Sequence, residues 1–191
     1  MSKQPSHFKG EATLSCPRRM KWFSLDEPQA LKGFPDRKYF SVRGWIPDDD
    51  PGGHAAIVKV VEGFLSSLPE EAEAILRSLT NPTEPKRYQS ELPGYDACDF
   101  KINDREENKP SLVGLDKKPL DASEFYDGCW ARILYVPEGG LKPSPYFRLK
   151  PVACVKVKDD FRISDGNIDV GDTLDKLLPD EDDDTVDPFA A

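Results

Sequence analysis

Hydrophobic and polar residues alternate along several stretches of the chain, a pattern typical of β-strands that bury one face. The clearest stretch runs from Lys38 to Ile46 and ends at a run of residues that stops a strand, Pro47-Asp-Asp-Asp-Pro-Gly-Gly53. Proline cannot donate to a strand ladder, so Pro151 is expected to bend the last predicted strand. The same pattern predicts strands over residues 10–15, 111–115, 129–136 and 146–157.

The hydrophobic period lengthens after Gly53 and predicts helices. Apolar residues at three- and four-residue spacing form one face of a helix over residues 54–68: Ile57, Val60, Val61, Phe64, Leu65 and Leu68. Pro69 and the acids after it suit the start of a second, shorter helix over residues 69–79. Proline, glycine and charge predict loops over residues 27–37 and 81–99, and a turn or helical crossing over residues 119–128.

Roughly five strands, with the main helix inserted between the second and third, match neither a sandwich nor a parallel α/β protein. They match a mainly β fold of the oligonucleotide/oligosaccharide-binding (OB) type, a five-stranded, partly open antiparallel barrel. We expect residues 1–158 to form this OB-fold domain with its inserted helix, and residues 159–191 to form a disordered acidic tail.

The negative charge of the chain is concentrated in its last 33 residues. This segment holds 12 acids and two bases, a net charge of −10, whereas the preceding 158 residues carry +1. The overall charge of −9 therefore does not argue against a nucleic-acid partner, since the body of the chain is nearly neutral. Two interpretations stay open for the tail: a nucleic-acid mimic that also recruits partners, or a segment that only keeps the protein soluble.

Three predicted strands each place a large aromatic residue and an arginine on the same face, because side chains alternate along a strand. Exposed rings can stack on the bases of single-stranded nucleic acid, and the cations can contact its phosphates. A further basic and aromatic stretch follows Met20. The candidate binding residues are Lys21, Trp22, Phe23, Tyr39, Arg43, Trp45, Trp130, Arg132, Tyr146, Arg148 and Lys150.

Each of these residues also has a purely structural interpretation. Trp45 or Trp130 could lie in the core under the inserted helix, and Arg43 and Arg132 could pair with the many acids. For Arg18, Arg19 and Lys21 the default is a solvated loop. The binding hypothesis depends on the recurrence of the same pairing in three strands.

The sequence gives little evidence for a catalytic site or a metal site. The cysteines lack the paired spacing of a zinc site and are expected to be core residues: Cys16, Cys98, Cys129 and Cys154. A nuclease could use carboxylates from residues 48–50 with Asp96, Asp99 and Asp104, but consecutive aspartates before a helix more often cap it. We therefore expect no enzyme, no metal and no cofactor. Unpaired cysteines and the lack of a signal or membrane-spanning stretch predict a cytosolic protein.

The chain resembles the single-stranded-DNA-binding protein family of tailed bacteriophages, OB-fold proteins with an acidic C-terminal tail. The most specific element is Phe125-Tyr-Asp-Gly-Cys-Trp-Ala-Arg132, followed by Lys38-Tyr-Phe-Ser-Val-Arg-Gly-Trp-Ile-Pro-Asp-Asp-Asp50. Residues 10–15, residues 147–157 and the tail also match. The sequence departs from many relatives in the loop 137–145, which is longer and glycine-rich there, and in Phe189, which stands two residues inside the terminus.

The resemblance implies sequence-nonspecific binding of single-stranded DNA in phage DNA replication, recombination and repair, within the cytoplasm of the infected bacterial host. It also implies that the tail competes with DNA and recruits a replication protein such as a polymerase, helicase-primase or recombinase. It leaves a homodimer open. The tail residues expected to bind such a partner are Asp180, Glu181, Asp182, Asp183, Asp184, Asp187 and Phe189. The alternative is an adaptor or DNA-mimicking inhibitor that acts through its tail and does not bind DNA.

Overall fold

Nine β-strands and two α-helices make up the part of the chain that the computed structural model describes, residues 6–31, 33–47, 51–80, 88–89, 95–103, 108–160 and 162. The helices are α1 (Pro51–Ser66) and α2 (Glu70–Leu79), and a short 3-10 helix spans Ala122–Glu124. The strands are β1 (His7–Lys9), β2 (Thr13–Leu14), β3 (Arg18–Leu31), β4 (Phe34–Pro47), β5 (Tyr88–Gln89), β6 (Tyr95–Asn103), β7 (Ser111–Val113), β8 (Trp130–Gly140) and β9 (Tyr146–Lys158).

The strands form one curled, partly open sheet in the order β5-β6-β4-β3-β8-β9-β7, with β1 and β2 also paired to β8. All neighbours are antiparallel except β7 and β9. Both helices lie between β4 and β5 in the chain. The predicted mainly β, OB-type half-barrel with inserted helical structure is confirmed, and both predicted helices are present.

Two predicted loops are wrong in part, because both contain strand. Residues 27–37 belong mostly to β3 and β4, which form a long hairpin, and Gly33 has a φ of 84° that suits a tight turn. Pro28 lies at a register shift between Ser24 and Gln29, where a missing N–H does not interrupt the ladder. Residues 81–99 include β5 and the start of β6, which pairs with β4 from Tyr39–Asn103 to Pro47–Tyr95.

The β8–β9 register breaks at Pro151, the residue at which the sequence predicts a bend of the last strand. Tyr135 lies opposite Pro151, whereas Leu134 lies opposite Ala153, so Val152 is an extra residue in β9. Proline therefore sits where the ladder is already interrupted.

The core fills the inner face of the sheet under α1 and α2. Alternate residues along β8, Ala131, Ile133 and Tyr135, are almost fully buried, as is Cys129 just before the strand. They pack in one cluster with Ile57, Val61, Phe64 and Leu65 of α1 and Leu76 of α2. The opposite side of the sheet, which carries Trp130, Arg132 and Leu134, is called the outer face below, and these three side chains are half-buried.

Two of the predicted core cysteines are buried and remain thiols. Burial raises the pKa of Cys154 to about 12 and also raises the pKa of Cys129. Cys16 is a free cysteine of intermediate burial, and the side chain of Cys98 lies outside the described residues. Among the described helices, none has the length and apolar character needed to cross a membrane.

Candidate nucleic-acid interface

A row of residues crosses the outer face at one end of the barrel. Arg19 of β3 lies opposite Trp130 of β8 on one side and opposite Trp45 of β4 on the other. Directly opposed residues of antiparallel strands place their side chains on the same face, so Arg19 lies between two indoles. Lys158 of β9 continues the row beyond Trp130.

Arg18 and Arg19 do not lie in a solvated loop, which corrects the default expectation from the sequence. Both belong to β3, where Arg18 is 0% and Arg19 is 4% exposed. A Cβ added at Gly44 would come within 2.6 Å of Arg18 Cδ, so the glycine makes room for the buried side chain. Arg19 Nε donates to the main-chain oxygen of Gly128 at 3.3 Å.

Trp45 is not an exposed stacking platform, and the sequence-based prediction for this residue is wrong. Its side chain is 0% exposed. In the strand register Trp45 lies between Arg19 of β3 and Ala97 of β6, and burial of so large an apolar ring is favourable. Stacking needs a ring face that a base can reach, and Trp45 offers none in this structure.

Trp130 is half-buried and belongs to a compact cluster with the residues that follow β9. Its Nε1 donates to Asp160 Oδ2 at 2.7 Å, and Lys158 Nζ lies 5.1 Å from the centre of its ring. The second oxygen of Asp160 lies 3.9 Å from Arg19 Nη2. The side chain of Asp160 thus bridges two members of the row.

Tyr126 forms the other half of this cluster. Its phenol oxygen lies 2.9 Å from both Asp159 Oδ1 and the main-chain oxygen of Asp160, and the Asp160 N–H donates to it at 3.1 Å. Burial raises the pKa of Tyr126, so the phenol stays neutral and can donate. Arg162 Cζ lies 4.6 Å from the centre of the same ring.

Lys156 connects Tyr126 to two carboxylates. Its Nζ lies 2.7 Å from Asp159 Oδ1, 3.4 Å from Glu124 Oε2 and 5.6 Å from the centre of the Tyr126 ring. Hydrogen bonds from Lys156 and from Tyr126 lower the pKa of Asp159. We call Arg19, Tyr126, Trp130, Lys156 and Lys158, together with Asp159 and Asp160, the Trp130 cluster.

A second group of predicted residues comes together at the opposite end of β8 and β9. Arg148 donates to Glu138 Oε2 from Nε at 3.1 Å and from Nη2 at 2.8 Å, and Lys150 Nζ lies 3.8 Å from Glu138 Oε1. Arg148 Cζ also lies 5.3 Å from the centre of the Tyr146 ring. Tyr146, Arg148 and Lys150 therefore share one face, as predicted, and with Glu138 they form the β8–β9 hairpin cluster.

Tyr146 is held on several sides. Its phenol oxygen lies 2.7 Å from His7 Nδ1, and a Cβ added at Gly140 would come within 2.4 Å of its ring. Burial raises the pKa of Tyr146. Glu138 lies eight residues after Trp130 along β8, which at roughly 3.3 Å per residue places the two clusters about 26 Å apart.

The remaining predicted site residues belong to neither of these two clusters. Tyr39, Arg43 and Arg132 are half-buried, in agreement with the strand alternation. Lys21 lies opposite Arg43 in the β3–β4 register, but the side chains of Lys21, Trp22 and Phe23 lie outside the described residues. The predicted partner-binding residues of the tail also lie outside them: Asp180, Glu181, Asp182, Asp183, Asp184, Asp187 and Phe189.

Sequence reasoning missed every residue of the Trp130 cluster except Trp130 itself, including its four other hydrogen-bond donors and cations, Arg19, Tyr126, Lys156 and Lys158. Tyr126 was visible as part of the motif that resembles the phage family, and Arg19 as part of a basic doublet beside aromatic residues. Lys156 and Lys158 give no such signal, because strand alternation predicts the face on which a residue lies but not the residues of other segments that it contacts. Their proximity to Tyr126 and Trp130 arises at the end of the barrel, where β9 is followed by Asp159 and Asp160.

Metal ligands do not come together in the described part of the chain, where no group of three histidine, cysteine, aspartate or glutamate side chains has a suitable arrangement. The carboxylates considered for a nuclease site, in residues 48–50 and at Asp96, Asp99 and Asp104, lie outside the described side chains.

Several solved phage proteins have the same architecture. The single-stranded DNA-binding protein from bacteriophage Enc34 superposes with a TM-score of 0.56 at 19% identity, covering 88% of this chain and 90% of that chain. Its complex with single-stranded DNA gives a TM-score of 0.57 at 17% identity, covering 83% and 90%. The single-stranded DNA-binding protein encoded by bacteriophage T7 gives 0.51 at 18% identity, covering 83% and 97%.

At the level of sequence, no protein-family model and no curated protein matches the chain. The TM-scores of 0.51–0.57 show a common fold, and at identities of 17–19% the likeness extends to the fold alone. The chain therefore shares the fold of the bacteriophage single-stranded DNA-binding proteins that its sequence resembles.

Proposed function

We propose that the protein binds single-stranded DNA without sequence preference, through the outer face of the barrel. The observation that carries the proposal is the row Trp130–Arg19 on an OB-type half-barrel, an aromatic ring and a guanidinium side by side at one end of the barrel. The likeness to phage proteins named for single-stranded DNA binding, one of them solved with that ligand, supports it.

Binding of this kind combines stacking and electrostatic attraction. In the proposed complex bases stack on Trp130, Tyr146 and Tyr39, while Arg43, Arg132 and the cations of the two clusters contact phosphates. Lys21, Trp22 and Phe23 remain candidates on the strand that carries Arg19. A distance of about 26 Å between the clusters suits a strand of several nucleotides laid along β8. Duplex DNA is excluded because its base faces are hidden.

Two further parts of the proposal concern the acidic tail and the biological setting. With a net charge of −10 over residues 159–191, the tail would compete with DNA for the cationic outer face and recruit replication proteins through residues 180–189. The setting would be phage DNA replication, recombination and repair in the cytoplasm of the infected host. The protein would act by binding, with no catalytic step of its own.

Fluorescence anisotropy with labelled oligonucleotides tests the proposal. We expect the full chain to bind a thymidine oligonucleotide tightly at low salt and a duplex of matched length weakly. Log affinity should fall by roughly 0.7 per phosphate contact for each log unit of salt. Absence of binding, both in the full chain and in a chain ending at Arg162, would contradict the proposal and favour the adaptor that acts through its tail.

A further inference from the structure

Two carboxylates of the chain itself occupy the Trp130 cluster. Asp159 and Asp160 follow β9 directly, and their side chains point to different donors of the same site. Asp159 accepts from Lys156 at 2.7 Å and Tyr126 at 2.9 Å, whereas Asp160 accepts from Trp130 at 2.7 Å. Arg19 lies 3.9 Å from the remaining oxygen of Asp160.

The chemistry of this site is that of an oxyanion-binding site. Guanidinium and ammonium groups and the indole N–H only donate hydrogen bonds, and the Tyr126 hydroxyl donates here as well. Carboxylates and phosphodiesters are both acceptor-only anions, and the same charge-assisted donors recognise them. The rings of Trp130 and Tyr126 beside these donors add surfaces on which a base can stack.

We propose that Arg19, Tyr126, Trp130 and Lys156 form a phosphate-binding subsite for single-stranded DNA, which Asp159 and Asp160 fill in the free protein. The proposal rests on the proposed function and specifies how that site is regulated. A strand enters the subsite by displacing the two carboxylates, so these two residues lower the affinity independently of the acids at 180–187. Displacement of the two carboxylates exposes the ring of Trp130 and leaves Arg19 and Lys156 to contact the phosphates.

The double variant Asp159→Asn/Asp160→Asn in the full chain tests this subsite. Asparagine keeps an acceptor at each position and removes the charge. The matched control is Asp116→Asn/Asp121→Asn, which changes the net charge equally at exposed positions where the carboxylates accept from the N–H groups of Lys118 and Ser123. We expect the first variant to bind a thymidine oligonucleotide about three- to tenfold more tightly, and the control to stay within roughly twofold of the unchanged protein.

A second measurement follows the subsite in the free protein. The indole N–H resonance of Trp130, assigned with Trp130→Phe, should shift on Asp160→Ala because its hydrogen bond to the carboxylate is lost. Addition of the oligonucleotide to the unchanged protein should perturb the same resonance, and the dispersion of the spectrum shows that each variant is folded.

The outcomes separate the subsite from the proposed function. If the unchanged protein binds the oligonucleotide, and the variant and the control bind it with equal affinity, the subsite is overturned but the proposed function is not. An equal gain in both would also overturn it, because the effect would then be that of net charge. No binding by any of these proteins would overturn both proposals.

Discussion

Arg148 directs Nε and Nη2 at a single oxygen of Glu138, at 3.1 and 2.8 Å. Glu138 is 3% exposed, and Lys150 lies near its other oxygen. A buried carboxylate is tolerated when cations and hydrogen bonds compensate for its lost hydration. Glu138 therefore fixes the positions of two predicted phosphate-binding cations and also offsets part of their charge.

Replacing Glu138 by glutamine should lower stability and raise affinity for single-stranded DNA. Because the charged hydrogen bonds to Arg148 are lost, we expect the free energy of unfolding to fall by about 1–2 kcal/mol. Urea denaturation measures this, and the exposed Glu11→Gln is the control, with an expected change under about 0.5 kcal/mol. A variant as stable as the control would show that the pair is not needed for the fold.

Alanine substitutions at the two tryptophans of the row should affect different properties: stability at Trp45 and DNA binding at Trp130. Trp45→Ala should lower the free energy of unfolding by about 3–5 kcal/mol, since it removes a fully buried indole. Trp130→Ala should leave most of the stability and lose about 1–3 kcal/mol of binding to single-stranded DNA. Thermal unfolding and oligonucleotide titration of both variants test the assignment, and the reverse pattern would restore Trp45 as the stacking platform.

Gly44→Ala should destabilise the protein because the new Cβ would lie 2.6 Å from Cδ of the buried Arg18. We expect a loss of about 1–3 kcal/mol from overpacking. Gly63→Ala on α1 is the control, since nothing lies within 4 Å of its Cβ position, and it should raise stability by about 0.4–1 kcal/mol. Equal denaturation midpoints for the two variants would contradict the packing of Arg18 against Gly44.

The contacts of Asp159 should be lost only in acid. Hydrogen bonds from Lys156 and Tyr126 lower the pKa of Asp159 below 3.8, with Glu124 and Arg162 also close to these two partners. A lowered pKa means that the ionised form stabilises the folded contacts, completely above pH 3.8 and progressively less as pH falls through the lowered value. The carboxyl carbon resonance of Asp159 measures the midpoint, and a value at or above 3.8 would contradict these bonds.

Strand periodicity in the sequence was enough to predict the half-barrel, but it did not predict β6. The first residues of β6 belong to the segment 81–99, whose prolines and charges predicted a loop. The strand forms because all nine of its residues pair with β4, a contact between segments far apart in the chain. Local patterns contain no information about such a partner.

The same limit applies to the candidate site. Alternation placed Trp45 and Trp130 correctly on a face opposite the core residues of their strands, but it cannot tell whether neighbouring strands cover that face. Both residues lie on interior strands, but Trp45 is fully buried, whereas Trp130 is half-buried beside Asp160. The Trp130 cluster joins residues from β3, β8, β9 and the 126–128 turn, which only the folded chain brings together.

The most direct test of single-stranded DNA binding through the outer face uses a variant in which Trp130 is the only tryptophan. In the variant Trp22→Phe/Trp45→Phe, titration with a thymidine oligonucleotide at low salt should quench the emission of Trp130, while a matched duplex should leave it nearly unchanged. Tight binding of the single strand without any change in this emission would contradict the placement of the site at Trp130. No binding of the single strand would contradict the function itself.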